Sequence, residues 1–120
     1  MSAYALAHLR ETAPHPEVLE YMEKIQATLD PFSGRFIVHG GPVDVREGTW
    51  PGHLVIIEFP DIAEARSWYQ SRAYQTILPL RTRHIASDLI LVEGVEADHD
   101  SAQMAAALRD AHWAPFVPLR

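Results

Sequence analysis

Cysteine is absent from this 120-residue chain, which removes disulfides, thiolate metal sites and cysteine nucleophiles from its chemistry. No run approaches the roughly 20 consecutive apolar residues that a membrane helix needs, so no membrane partner is expected. The opening Met1-Ser2-Ala3-Tyr4 lacks the basic region and long apolar core of a secretion signal, and a cytoplasmic location is the expectation. Positive charge is also scarce: 10 Lys and Arg against 16 Asp and Glu leave a formal charge of -6. Those basic residues are scattered, whereas binding to a phosphate backbone requires them clustered, so nucleic acid is not an expected partner. The seven histidines include no pair at i, i+3 or i, i+4 and no HxH on a strand, so no sequence-local metal site is expected. Ser33, Ser67, Ser71, Ser87 and Ser101 sit in no nucleophile elbow.

What remains is enough for one core, since 48% of the residues are hydrophobic in a chain of single-domain length. The Glu58 to Gln75 stretch organises it. The apolar, branched run His53 to Phe59 reads as a central strand that Pro60 ends. Asp61 and Glu64 then have capping-box spacing, opening a helix with Ile62, Ala65 and Tyr69 inward and Trp68 at the border.

Before this joint, Ala3 to Leu9 alternates a small face (Ala3, Ala5, Ala7) with a larger one (Tyr4, Leu6, His8), as a strand packed on both faces would. The ordinary reading of His8 is a local hydrogen bond at the strand end. A helix is expected from about Pro16, with Val18, Met22, Ile25 and Leu29 on its inward stripe, supported by Tyr21, and with Asp30-Pro31 as its close. Gly34 to Gly41 reads as a second strand, continued by Val43 to Arg46 beyond a bulge at Gly40-Gly41. That pair cannot be a phosphate loop, because neither a lysine nor a helix follows it. Glu47 to Gly52 has turn composition, so the second and third strands should form an antiparallel hairpin.

After the central helix, Ser71 is expected to cap a short helical segment through Tyr74, Ile77 and Leu78, interrupted by Pro79. Leu80 to His84 lead through Ser87 and Asp88 into a last strand, Leu89 to Glu93, which Gly94 ends. Residues 1–96 thus form one unit. Residues 97–120 form a tail, with a helix over Ser101 to Arg109 and an apolar Trp113 to Pro118 segment expected to pack on its own domain or on a partner subunit.

The order strand, helix, strand, strand, helix, strand is the ferredoxin-like βαββαβ arrangement of an α+β fold, a four-stranded antiparallel sheet with its helices on one face. Both faces of the His53 to Phe59 strand are mostly apolar, so the open sheet face should pair with a second copy. A homodimer forming a dimeric α/β barrel is expected.

Gly34-Arg35-Phe36 with His39-Gly40-Gly41, Glu47-Gly48-x-Trp50, Ile57-Glu58-Phe59-Pro60, Ala65-x-x-Trp68-Tyr69-x-Ser71-x-x-Tyr74-Gln75, Arg81, and Asp88 with Leu91-Val92-Glu93-Gly94 together resemble the DUF1330 family. The resemblance covers roughly Tyr4 to Val95. It implies a small dimeric α/β-barrel protein of the superfamily that also holds cofactor-independent monooxygenases, muconolactone isomerases and YCII-like proteins, and it names no reaction. His39 stands where many relatives have arginine, and Arg72-Ala73 replaces a common Pro-Glu.

Candidate chemistry rests on polar groups placed on apolar elements. Glu58 shares a strand face with Leu54 and Ile56, where an unpaired carboxylate has a raised pKa and suits a general base. Arg81 and Arg83 precede the last strand and are suited to pair with Glu58 or to hold an anionic substrate. His39 and Asp88 are expected to meet across the sheet ends as an oriented imidazole. Trp68, Tyr69 and Tyr74 would wall a small-molecule pocket between sheet and helices. Two readings follow: an enzyme without a tightly bound cofactor, performing proton transfer or monooxygenase-like chemistry on a small organic molecule, or a non-catalytic dimeric module that binds a ligand or a protein.

Overall fold

A computed structural model of the chain describes residues 1–11 and 14–111. Strands β1 (Ala3–Leu9), β2 (Arg35–His39), β3 (His53–Phe59) and β4 (Ser87–Glu93) and helices α1 (Pro16–Leu29), α2 (Ile62–Gln70), α3 (Arg72–Thr82) and α4 (Ser101–Asp110) appear in the expected order. The sheet runs β2-β3-β1-β4 and every pairing is antiparallel. This is the ferredoxin-like arrangement. No helix among the described residues is long and apolar enough to cross a membrane.

Local chemistry sets the helix ends. His15 Nδ1 accepts the Glu17 N–H at 3.0 Å before Pro16 opens α1. Asp61 Oδ1 accepts the Glu64 N–H at 2.8 Å and starts α2. Ser71 serves two helices at once: its Oγ donates to the Trp68 carbonyl at 2.7 Å and accepts the Tyr74 N–H at 3.2 Å. Pro79 does not interrupt α3, contrary to the reading of the sequence; the helix continues to Thr82. Burial of Ile77 and Arg81 on either side of Pro79 holds the turn against the lost backbone bond.

Register places two different faces on the sheet. Ala5 lies opposite Ile57 and Leu91 and faces the helices, while Leu6 lies opposite Ile56 and Ile90 and faces away. The core is an aromatic block. Trp68, Tyr74 and Phe59 are almost wholly buried, with ring centroids 4.1 Å apart for Trp68 and Tyr74 and 5.4 Å for Phe59 and Trp68. Trp68 therefore belongs at the centre of the inward face and Tyr69 at its border, the reverse of the expectation, because the alanine face of β1 leaves room for the indole. Its Nε1–H donates to Thr28 Oγ1 at 3.0 Å, so the indole is buried with its polar edge satisfied. Gly34 lets the β2 entry approach this block: a Cβ there would lie 2.7 Å from Phe59 Cε1.

Three further expectations are revised. Val43 to Arg46 form no strand; β2 ends at His39, and Gly40 turns away at φ 71° with its N–H on the Leu54 carbonyl. The bulge lies at Ile37, between the Phe36–Ile57 and Val38–Ile56 pairs, rather than at the glycines. The buried stripe of α1 is Tyr21, Ile25, Thr28 and Leu29, leaving Met22 51% exposed.

Near the end of β1, His8 makes a structural hydrogen bond as expected, though to a distant residue and not a local one: its Nε2 lies 2.6 Å from the Pro51 carbonyl, and its ring stacks on Trp50. Helix α4 has no buried residue, and Trp113 to Pro118 lie outside the described residues.

Candidate functional site

The helix layer does not fill the space above the sheet. Below α1 lies a cavity of about 530 Å³ whose floor includes Ala5, Ala7, Val55 and Ile57. Methyl side chains on β1 are too short to reach α1, which leaves the space open. Leu19 and Met22, both exposed, stand at its mouth, which explains why Met22 departs from the expected buried stripe. The walls are overwhelmingly apolar, so the few polar groups that reach them fix how a ligand would be oriented.

Arg81 is the decisive one. The last turn of α3 projects it to the cavity, yet it is only 5% exposed. Its Nη1 donates to Ser87 Oγ, and its guanidinium carbon lies 5.5 Å from the centre of the Tyr21 ring. Among the described residues no carboxylate pairs with it. Burial opposes its charge, but the neighbouring Tyr21 and Tyr74 oxygens outweigh that effect and shift its pKa upward. A guanidinium is never neutral in practice, so the cavity carries a fixed positive charge. Tyr21 also lines the cavity, and its hydroxyl shares a 2.9 Å hydrogen bond with that of Tyr74. Burial, reinforced by Tyr74, raises the Tyr21 pKa.

His39 reaches the same cavity because of the bulge at Ile37. Strict alternation from the inward Phe36 would send His39 to the outer face; the extra residue reverses the count. Its ring stacks on Phe36 at 4.1 Å and is exposed at the rim, near His53.

The other anticipated residues are dispersed. Trp68 forms part of the cavity wall, but Tyr69 and Tyr74 do not line it. Arg83 is on the surface, 3.3 Å from Glu17. Glu58 points to the outer face and pairs with Arg35 at 2.6 Å, so it does not meet His39 or Arg81. Asp88 pairs with Arg10. The expected meeting of His39 and Asp88 does not occur within the chain: they lie on β2 and β4, the two edge strands, with β3 and β1 between them. His53 and Tyr21 were not singled out as site residues. His53 was findable, since it shares the inward alternation of Val55 and Ile57.

Comparison with known families now bears on this arrangement. The model of the domain of unknown function DUF1330 matches residues 2–95. The chain belongs to the DUF1330 family. Among solved structures, a protein of unknown function from Rhodopseudomonas palustris is 17% identical with a TM-score of 0.60, the match covering 79% of this chain and 83% of that one. A dimeric ferredoxin-like protein of unknown function from Jannaschia sp. CCS1 is 12% identical with a TM-score of 0.63, covering 78% of this chain and 100% of that one. Both likenesses concern the fold of this DUF1330 protein alone. A search of curated proteins found no match.

Proposed function

We propose that this DUF1330 protein binds a small, mostly apolar organic anion in the cavity below α1, with the anionic group on Arg81. One observation carries the reading: a buried guanidinium with no carboxylate partner among the described residues faces an apolar cavity. A buried cation lacking a counter-ion is costly, and a bound carboxylate or enolate would offset that cost through a bidentate pair. His39, exposed at the rim on the β2 edge while Arg81 is held to Ser87 of β4, would exchange a proton with a molecule long enough to span the cavity between them. The chemistry would then be proton transfer without a tightly bound cofactor. The non-catalytic alternative gains from one feature, that among the described residues no carboxylate orients His39.

The protein is proposed to work as a homodimer through the outer sheet face, where Ile90 and Val92 are 54% and 43% exposed beside Leu6 and Ile56. The dimeric description of the Jannaschia neighbour supports this. Ile90→Asp is expected to give monomers in light scattering; an unchanged mass would place the interface elsewhere.

Binding is tested by calorimetry with aromatic and short aliphatic carboxylates against their neutral carboxamides. The carboxylates should bind at least about 10-fold tighter, and Arg81→Met should abolish that preference while changing unfolding stability by no more than about 1 kcal/mol. Equal binding of amide and acid, or a preference that survives Arg81→Met, would sink the proposal. For a bound carboxylate that also carries a ketone, deuterium exchange at the C–H next to the ketone should occur and should be lost in His39→Ala with fold and dimer retained. Binding without exchange in the unaltered protein selects the non-catalytic module.

A further inference from the structure

A second cluster of ligand-type side chains lies outside the cavity and is assembled from distant parts of the chain. His15 caps α1, Glu17 follows in its first turn, and His84 stands just beyond α3. One ligand atom from each lies within 4.8 Å of the others. His84 Nε2 is 2.7 Å from Glu17 Oε1, and the His15 and His84 rings stack with centroids 3.6 Å apart. All three residues are half-buried.

We propose that His15, Glu17 and His84 form a binding site for a borderline divalent cation, with Zn2+ as the best fit. Two imidazole nitrogens and one carboxylate oxygen are a donor set for zinc-like ions, which in open sites bind three protein ligands and a water. Calcium and magnesium prefer shells of oxygen and are disfavoured. Arg83 Nη1 lies 3.3 Å from the other Glu17 oxygen, Oε2, which leaves Oε1 directed at the histidines. An outer partner that orients a ligating carboxylate in this way is a usual part of metal sites.

Two adjustments are required, the first being that the His15 and His84 rings, stacked 16° from parallel with centroids 3.6 Å apart, rotate off each other so that both can aim a nitrogen at one ion. Bonds of about 2.0–2.1 Å in a tetrahedral shell separate neighbouring ligand atoms by about 3.3 Å, so Glu17 Oε1 and His84 Nε2 must open from 2.7 Å. His15 Nδ1 now accepts the Glu17 N–H at 3.0 Å. Coordination through that nitrogen would take over its lone pair and leave the N–H to water at the helix end. The consequence is mechanical: the ion would tie the start of α1 to the end of α3. Pro14 and Val18 from the first, and Arg81 and Ile85 from the second, all line the cavity. A bound ion would fix the spacing of these walls, whatever the cavity holds.

The test titrates chelator-stripped full-length protein with Zn2+ by calorimetry, and with Co2+ by visible absorbance. A single saturable site per chain is expected, weakened at least about 10-fold in His84→Ala and in Glu17→Gln and unchanged in His99→Gln, an exposed histidine elsewhere. Circular dichroism should show each variant folded, since neither His84 nor the Glu17 side chain caps a helix. An unaltered protein with no saturable site would overturn the proposal. So would affinity that persists in folded His84→Ala, which would mark binding to scattered surface groups.

Discussion

Around α2, the sheet is covered by Phe59, Trp68 and Tyr74, each at most 1% exposed; below α1, the same sheet faces a cavity of about 530 Å³. Both regions use the same strands. In the first, large rings fill the space left by small β1 side chains, and every buried polar edge finds a partner, as Trp68 does in Thr28. In the second, the alanines of β1 face Val18 and Met22 of α1 across open space. The hollow half also holds the buried charge, Arg81, that the filled half would not tolerate. A close-packed interior leaves few voids larger than water, so space of this size beside a guanidinium with no carboxylate partner among the described residues is where a ligand site should be sought.

The sharpest way to break this contrast is to truncate one large side chain from each half. Phe59→Ala should cost about 3–5 kcal/mol, the transfer term plus the cavity left behind. Met22→Ala, which removes a side chain already half in water, should cost less than about 1 kcal/mol. Urea unfolding of the two variants measures both. Comparable losses would mean that the cavity wall is packed as firmly as the core and that the hollow is an illusion of side-chain placement.

The filled half was legible in the sequence to a degree that the hollow half was not. Asp61 and Glu64, Ser71 before Tyr74, and the branched run before Pro60 are short-range signals, and each element they announce is present. Trp68 and Tyr69 were transposed because both fit a helical stripe through Ile62 and Ala65, and only the alanine face of β1 decides between them. The site depends on longer-range facts. A bulge at Ile37 turns His39 toward the cavity, and no residue type there announces it. Strand order separates His39 from Asp88, and the β2–β3 pairing gives Glu58 to Arg35. The grouping of His15 and Glu17 with His84 likewise joins residues 67 apart, which no local spacing rule can detect.

The smallest effect concerns the boundary itself, where Tyr21 lines the cavity and holds Tyr74 of the filled half by a 2.9 Å hydrogen bond. Tyr21→Phe should cost about 0.5–1.5 kcal/mol near neutral pH, because the Tyr74 hydroxyl loses its partner. The pH dependence gives a second reading of the same residue. Burial raises the folded pKa of Tyr21 above its unfolded value, so the folded state keeps a proton that the unfolded chain gives up. The stability from this difference is fully present below about pH 10, the unfolded tyrosine value, and is lost as pH rises beyond it. Phenylalanine has no such proton. The stability gap between the unaltered protein and Tyr21→Phe should therefore narrow above about pH 10. A gap that stays constant through that range would show that water reaches the Tyr21 hydroxyl, and that the boundary between the two halves is wet.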